Sequence, residues 1–173
     1  MHLDSIRHRD HVYDASHLNQ VIKQFDWRDC DKQNMSFSVR VRYSNHCYSK
    51  TCERPSDEDF VVSQNRIFCP HRHSLSQVLP AVIGGIIEKP TTSIGVTYES
   101  KNHHVYRIAP TVPLEPGERY AIFFSLKASN ADDPSRAVRM LDLFVESAYP
   151  RTNRVDIDRN LPFGKLAEQL LKK

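Results

Sequence analysis

The stretch from Tyr43 to His73, YSNHCYSKTCERPSDEDFVVSQNRIFCPHRH, gathers three of the four cysteines and three of the nine histidines of the chain. Two chemistries suit residues of these types at this spacing. Cys47, Cys52 and Cys69, with His71 or His73 as a fourth donor, could close a tetrahedral structural zinc site. The spacing C-x4-C-x16-C-x-H pairs only the first two thiols closely, unlike the paired C-x2-C knuckles of ordinary zinc modules. The other chemistry starts from His46, which follows a well-specified strand and has Ser44, Tyr48, Ser49 and Lys50 around it. An imidazole there is suited to general acid/base work near neutral pH. Arg72 and His73 precede the expected start of a helix, where free backbone amides favour an anion such as phosphate. The histidines and arginines of the stretch therefore carry more weight than its thiols. No cofactor is expected, with structural zinc as the alternative.

The elements around this stretch are legible from periodicity. Residues 15–25, ASHLNQVIKQF, put Leu18, Val21, Ile22 and Phe25 on one helical face, with Asp14 or Ser16 as N-cap. A polar loop with the only tryptophan follows. Residues 36–44 alternate strictly, with Phe37, Val39, Val41 and Tyr43 on one side and Ser38, Arg40 and Arg42 on the other, which predicts a half-buried strand with a basic outer face. The region 45–65, with Pro55 and an acidic run, reads as an exposed loop.

Residues 74–87 predict a buried helix capped by Ser74 and Gln77, kinked or shifted in its start by Pro80 and ended at Gly84 and Gly85. Four strands follow, at 93–98, 103–108, 119–127 and 138–148, joined by connections that favour antiparallel neighbours. His103 and His104 sit on opposite faces of the second of these strands, at a solvated hairpin end. A regular last strand places Ser147 and Tyr149 on the apolar face of Leu141, Leu143 and Val145. Residues 163–172 predict a short amphipathic helix.

The resulting expectation is an α+β fold, with helices packed on one face of a mainly antiparallel sheet of four to five strands and a C-terminal helix. Residues 1–150 form one domain with a Cys/His-rich loop at 45–73, and 151–173 form a basic tail with the short helix. A net charge of +3, from 24 Lys and Arg against 21 Asp and Glu, is weak evidence for a polyanionic partner by itself. The arginines are clustered, however, at 40 and 42, at 66 and 72, and at 151, 154 and 159.

Several classes are set aside. There is no phosphate-binding P-loop, no G-x-G-x-x-G, no H-E-x-x-H and no G-x-S-x-G. No apolar run is long enough to cross a bilayer. The charged first residues have no export core, so a cytoplasmic protein with reduced thiols and no membrane partner is expected.

Helices followed by a four-stranded antiparallel sheet over residues 74–150, closed by FVESAYP, resemble the barnase–EndoU–colicin–RelE group of small ribonucleases. Members combine a His or Lys from early in the domain with Arg, Ser/Thr or Tyr from the strands, and cleave RNA without metal. Position by position, the resemblance carries over only to Ser147 and Tyr149. With general chemistry added, the expected function is a toxin-like, metal-independent ribonuclease or another nucleic-acid-directed protein. His46, Arg72, Ser147 and Tyr149 would be catalytic, and Arg40, Arg42, Arg66, His73, Tyr106 and Lys127 would hold substrate. Two alternatives are a nucleic-acid- or protein-binding module with a zinc-ordered loop and an interaction factor using the acidic loop and terminal helix.

Overall fold

The computed structural model describes residues 4–28, 34–56, 59–97, 103–108, 114–129 and 139–171. In chain order the elements are β1 (Ser5–His8), β2 (His11–Asp14), a 3-10 turn (Ser16–Leu18), β3 (Val21–Arg28) and β4 (Asn34–Tyr43). A second 3-10 turn (Asn45–Cys47) leads into β5 (Ser49–Thr51), β6 (Val61–Ser63), β7 (Arg66–Phe68), α1 (Pro70–Ser76) and α2 (Leu79–Glu88). The chain continues through β8 (Ser93–Thr97), β9 (His103–Ile108), β10 (Arg119–Ala128), β11 (Arg139–Arg151), β12 (Ile157–Pro162) and α3 (Phe163–Leu171).

The architecture is α+β, as the order of elements predicts. Seven strands form the main sheet in the order β12-β8-β9-β10-β11-β4-β3. Strands β8 to β11 are an antiparallel meander, and β4 lies parallel to β11, with Val39 opposite Leu141 and Val41 opposite Leu143. The long chain between β4 and β11 is what permits a parallel neighbour in an otherwise antiparallel sheet. One face is apolar: Phe37, Val39, Val41, Ile122, Phe124, Leu141, Leu143 and Val145 are all buried there. Against it pack Leu75, Leu79, Ile83, Ile86 and Ile87 of α1 and α2 and Phe163, Leu166 and Ala167 of α3. Each of these side chains larger than alanine contributes about 1.5–3 kcal/mol by leaving water, so this layer is the main source of stability.

The strand count exceeds the expected four to five because two segments are extended rather than helical or loose. Residues 15–25 make only a single 3-10 turn before β3 begins. Val21 and Ile22 are exposed and Phe25 is buried, so the apparent helical face is divided. The β-branched and aromatic residues from Val21 to Trp27 fit a strand, and eight pairings to β4 override a four-residue helical pattern. Trp27 consequently lies in β3, not in a loop. Residues 157–162 pair with β8 as an edge strand, and α3 behind them belongs to the main core.

The expected helix over 74–87 is two helices. Pro70 and Pro80 each sit in a first turn, where the missing N–H costs nothing, and α1 starts at Pro70, with Cys69 as N-cap, rather than at Ser74. Gly84 and Gly85 do not end α2, which runs to Glu88. Burial of Ile83, Ile86 and Ile87 outweighs the roughly 1 kcal/mol that each glycine costs a helix. At Gly164 the glycine is required: a Cβ there would overlap the Trp27 ring.

Residues 45–69 are not an exposed loop. Strands β5, β7 and β6 form a three-stranded sheet of their own. It shares a second core, Ile6, Ala15 and Phe68 with Tyr13, Tyr48 and Val62, with the hairpin β1–β2.

Candidate functional site: an arginine–aromatic cleft at the end of β11

The site follows from one irregularity and one difference in strand length. Opposite the Phe123–Phe124 step of β10, strand β11 carries one extra residue, Glu146, since Phe124 pairs with Val145 but Phe123 pairs with Ser147. A bulge of this kind reverses which side chains face the core. Ala148 continues the apolar row, while Ser147, Tyr149 and Arg151 turn to the outer face. The expectation that Ser147 and Tyr149 share a face with Leu141, Leu143 and Val145 is thereby corrected. Strand β4 pairs with β11 only as far as Tyr43, opposite Val145. Beyond that point the 3-10 turn Asn45–Cys47 and α1 stand beside β11, with Ser44 N donating to Val145 O at 2.9 Å. A cleft lies over the outer face of this end of β11, toward residues 154–157.

Aromatic rings and guanidinium groups fill its outer side. Phe123 and Tyr149 stack with centroids 5.6 Å apart and planes 23° apart. Arg151 lies 5.8 Å from the Phe123 centroid and 5.9 Å from that of Tyr149, and Arg72 lies 5.2 Å from Tyr149. Further along the same face, Arg42 covers Phe144 at 5.6 Å. Beside the stacked pair is a groove of about 950 Å³, lined by Phe123, Ser147, Tyr149, Arg151, Arg154 and others, including the carboxylates Glu146 and Asp156. The chain after β11, residues 154–157, forms its far wall.

On the other side of Tyr149, Arg66 and Arg72 converge. Arg66 Nη2 and Arg72 Nη1 both donate to the Ser49 carbonyl oxygen, at 2.7 and 2.9 Å, and Arg66 Nε donates to Ser49 Oγ at 2.8 Å. Arg72 Nη1 also approaches the His46 carbonyl oxygen at 3.4 Å. Neither arginine has a carboxylate partner among the described residues. Burial and Arg72 together push the Arg66 guanidinium below its ordinary value. His46 is exposed, yet partial burial first, then Arg66 and Arg72, lower its pKa, so its imidazole is neutral at neutral pH. Beneath lies Cys47, fully buried, whose thiol burial pushes up to about 12.

Of the residues singled out in the sequence, Ser147 and Tyr149 line this cleft, and Arg72, over the Tyr149 ring, connects them to Arg66 and His46. Others do not. Arg40 is committed to Asp142 by two hydrogen bonds of 2.5 and 2.9 Å. Lys127 pairs in register with Asp142, whereas Tyr149 pairs with Ala121. Six residues along β10 put Lys127 roughly 20 Å from the cleft. His73 lies inside α1 and is buried, not poised ahead of a helix start. Its Nε2 donates to the Asp14 carbonyl oxygen at 2.8 Å, and its ring packs against Tyr13 and Phe68. Tyr106 pairs with Ile122 in β9, but its side chain lies outside the described residues. Cys47, Cys52, Cys69 and His71 do not converge: among the described residues no three His, Cys, Asp or Glu could share a metal ion. Nothing in the sequence gives Phe123 a part in the site, and it marks Arg151 only as one of a cluster and Ser49 only as a neighbour of His46. Two-residue spacing from Tyr149 reaches Arg151, but only the bulge tells which face they occupy.

Fold and site together define a mixed-sheet α+β protein with a cationic, aromatic cleft and no metal-ligand cluster among its described residues. The chain belongs to the YjaZ family, whose model matches residues 5–171. No curated protein and no solved structure matches it.

Proposed function

We propose that this protein binds single-stranded nucleic acid, RNA in the first instance, across the outer face of β10 and β11. The observation that carries the reading is the stack of Phe123 and Tyr149 between Arg72 and Arg151. Proteins that hold single strands combine aromatic faces, on which bases stack, with cations that track the phosphates. A double helix hides its base faces and could not use such a platform. Arg42 over Phe144 offers a second stacking position on the same face.

A neutral His46 beside two guanidinium groups favours a second reading, metal-independent RNA cleavage. His46 would take the 2′-hydroxyl proton, and the 2′-oxygen would attack phosphorus. The bond to the 5′-oxygen would break with that oxygen protonated, leaving a 2′,3′-cyclic phosphate and a 5′-hydroxyl.

One experiment tests both. Fluorescence anisotropy with a labelled single-stranded RNA at low salt should give binding that weakens steeply as salt rises, and a duplex of the same length should bind less well. Loss of this difference, or no salt-sensitive binding, overturns the proposal. Incubation of the same RNA in EDTA decides the second reading. Cleavage that His46→Ala abolishes in a folded protein supports it, and an intact RNA leaves a binding protein.

A further inference from the structure

We infer that Arg66, Arg72 and His46 form a pocket for a terminal phosphate monoester, which seats one end of the strand bound on the Phe123–Tyr149 platform. The inference rests on the nucleic-acid reading above and makes it narrower.

Charge is the first argument. Two guanidinium groups are held against a single carbonyl oxygen, that of Ser49, with no carboxylate beside them among the described residues. The other acceptors, Ser49 Oγ and the His46 carbonyl oxygen, are neutral too, so two adjacent cations are left without a compensating charge. An internal phosphodiester carries one charge, whereas a terminal monoester carries about 1.5 to 2 near neutral pH and presents three oxygens. Two guanidinium groups match the second. Donors remain for it: Arg66 Nη1 and Arg72 Nη2 hydrogen-bond to none of the described residues.

Position is the second argument. Across the sheet the order is Phe123 on β10, Tyr149 on β11, then Arg72 and Arg66. Past the arginines stand the 3-10 turn Asn45–Cys47 and β5, with Cys47 and Ser49 fully buried. The clamp therefore sits at the end of the row of rings. A strand that ends on Tyr149 would present its terminal phosphate to the clamp.

The test uses the full chain and three versions of one ten-nucleotide single-stranded RNA, ending in a 5′-phosphate, a 3′-phosphate or hydroxyls only. One phosphorylated end should bind about tenfold tighter than the hydroxyl form, a difference that charge-assisted hydrogen bonds readily supply. The end that gains identifies the polarity of the bound strand. Arg66→Gln should abolish the preference while the hydroxyl-ended RNA still binds. Arg66→Lys, which keeps the charge but not the fork, should retain only part of it. Should Arg66→Gln misfold by circular dichroism, Arg72→Gln serves the same purpose. Equal binding of all three RNAs overturns the inference and leaves the nucleic-acid reading intact. A preference that persists in both glutamine variants overturns it too. No binding of any RNA overturns both.

Discussion

Arg40 meets the Asp142 carboxylate through two hydrogen bonds, whereas Arg66 and Arg72 meet only neutral oxygens, those of Ser49 and the His46 carbonyl. All three arginines are partly buried and anchored by short contacts. What separates them is compensation. Asp142 neutralises Arg40 and is itself held below the usual carboxylate range, chiefly by the hydrogen bond from Arg40. That pair belongs to the fold. By contrast, burial and then Arg72 lower the Arg66 guanidinium, and both arginines add to burial in lowering His46, an arrangement that folding alone does not favour. Clustering of arginines in the sequence is thus a weaker guide than whether each has a carboxylate.

The comparison is most severely broken by inserting one alanine between Ala148 and Tyr149. The added residue takes the outer face, so Tyr149 and Arg151 turn toward the core. A loss of about 3 kcal/mol or more in denaturant unfolding is expected, together with loss of RNA binding. Next comes Arg66→Gln with Arg72→Gln. RNA affinity should fall about a hundredfold by anisotropy, with the log–log salt slope flatter by about 1.4 for two phosphate charges. Unfolding stability should stay within about 1 kcal/mol of the parent, because two like charges are removed along with their hydrogen bonds.

Asp142→Asn should act in the opposite sense on the other member of the comparison. Stability falls by no more than about 1 kcal/mol, as for a half-exposed ion pair. RNA binding tightens about twofold, since a freed Arg40 joins the cationic face.

The smallest effect concerns acid. His17 Nε2 donates to Ser76 Oγ at 2.8 Å, since Ser76 Oγ spends its own hydrogen on the His73 carbonyl oxygen at 2.7 Å. His17 Nδ1 is then a buried acceptor with no partner among the described residues. Burial first, then His73, lowers the His17 pKa below 6.5, against an opposing pull from Asp14. The unfolded chain therefore binds the proton more readily. Stability is fully present above about pH 6.5 and falls as pH drops through the lower folded value. His17→Asn should flatten melting temperature against pH between 7 and 5. An unchanged profile would show that another group governs it.

Much of this was legible beforehand. Strand β4, the late strands, α3 and the α+β class follow from period-two and period-3.6 patterns, because burial of one face is a local demand that each segment carries in its own residues. Residue types and spacing single out His46, Arg72, Ser147 and Tyr149, although the faces expected for Ser147 and Tyr149 are wrong by one residue. Segment 15–25 misled because four apolar residues satisfy a helical spacing and a strand equally, and pairing to β4 decided between them.

The sequence by itself determined the composition of the site: which histidines and arginines flank β4 and α1, and that a hydroxyl and a ring close β11. Tertiary structure alone decided which of them matter. A single inserted residue at 146 reversed the outward face of β11, and the end of β4 at Tyr43 let the turn Asn45–Cys47 and α1 stand beside it. Asp142, 102 residues from Arg40, took one arginine out of play. Register, bulge and charge pairing join residues far apart in the chain, so no local pattern can encode them.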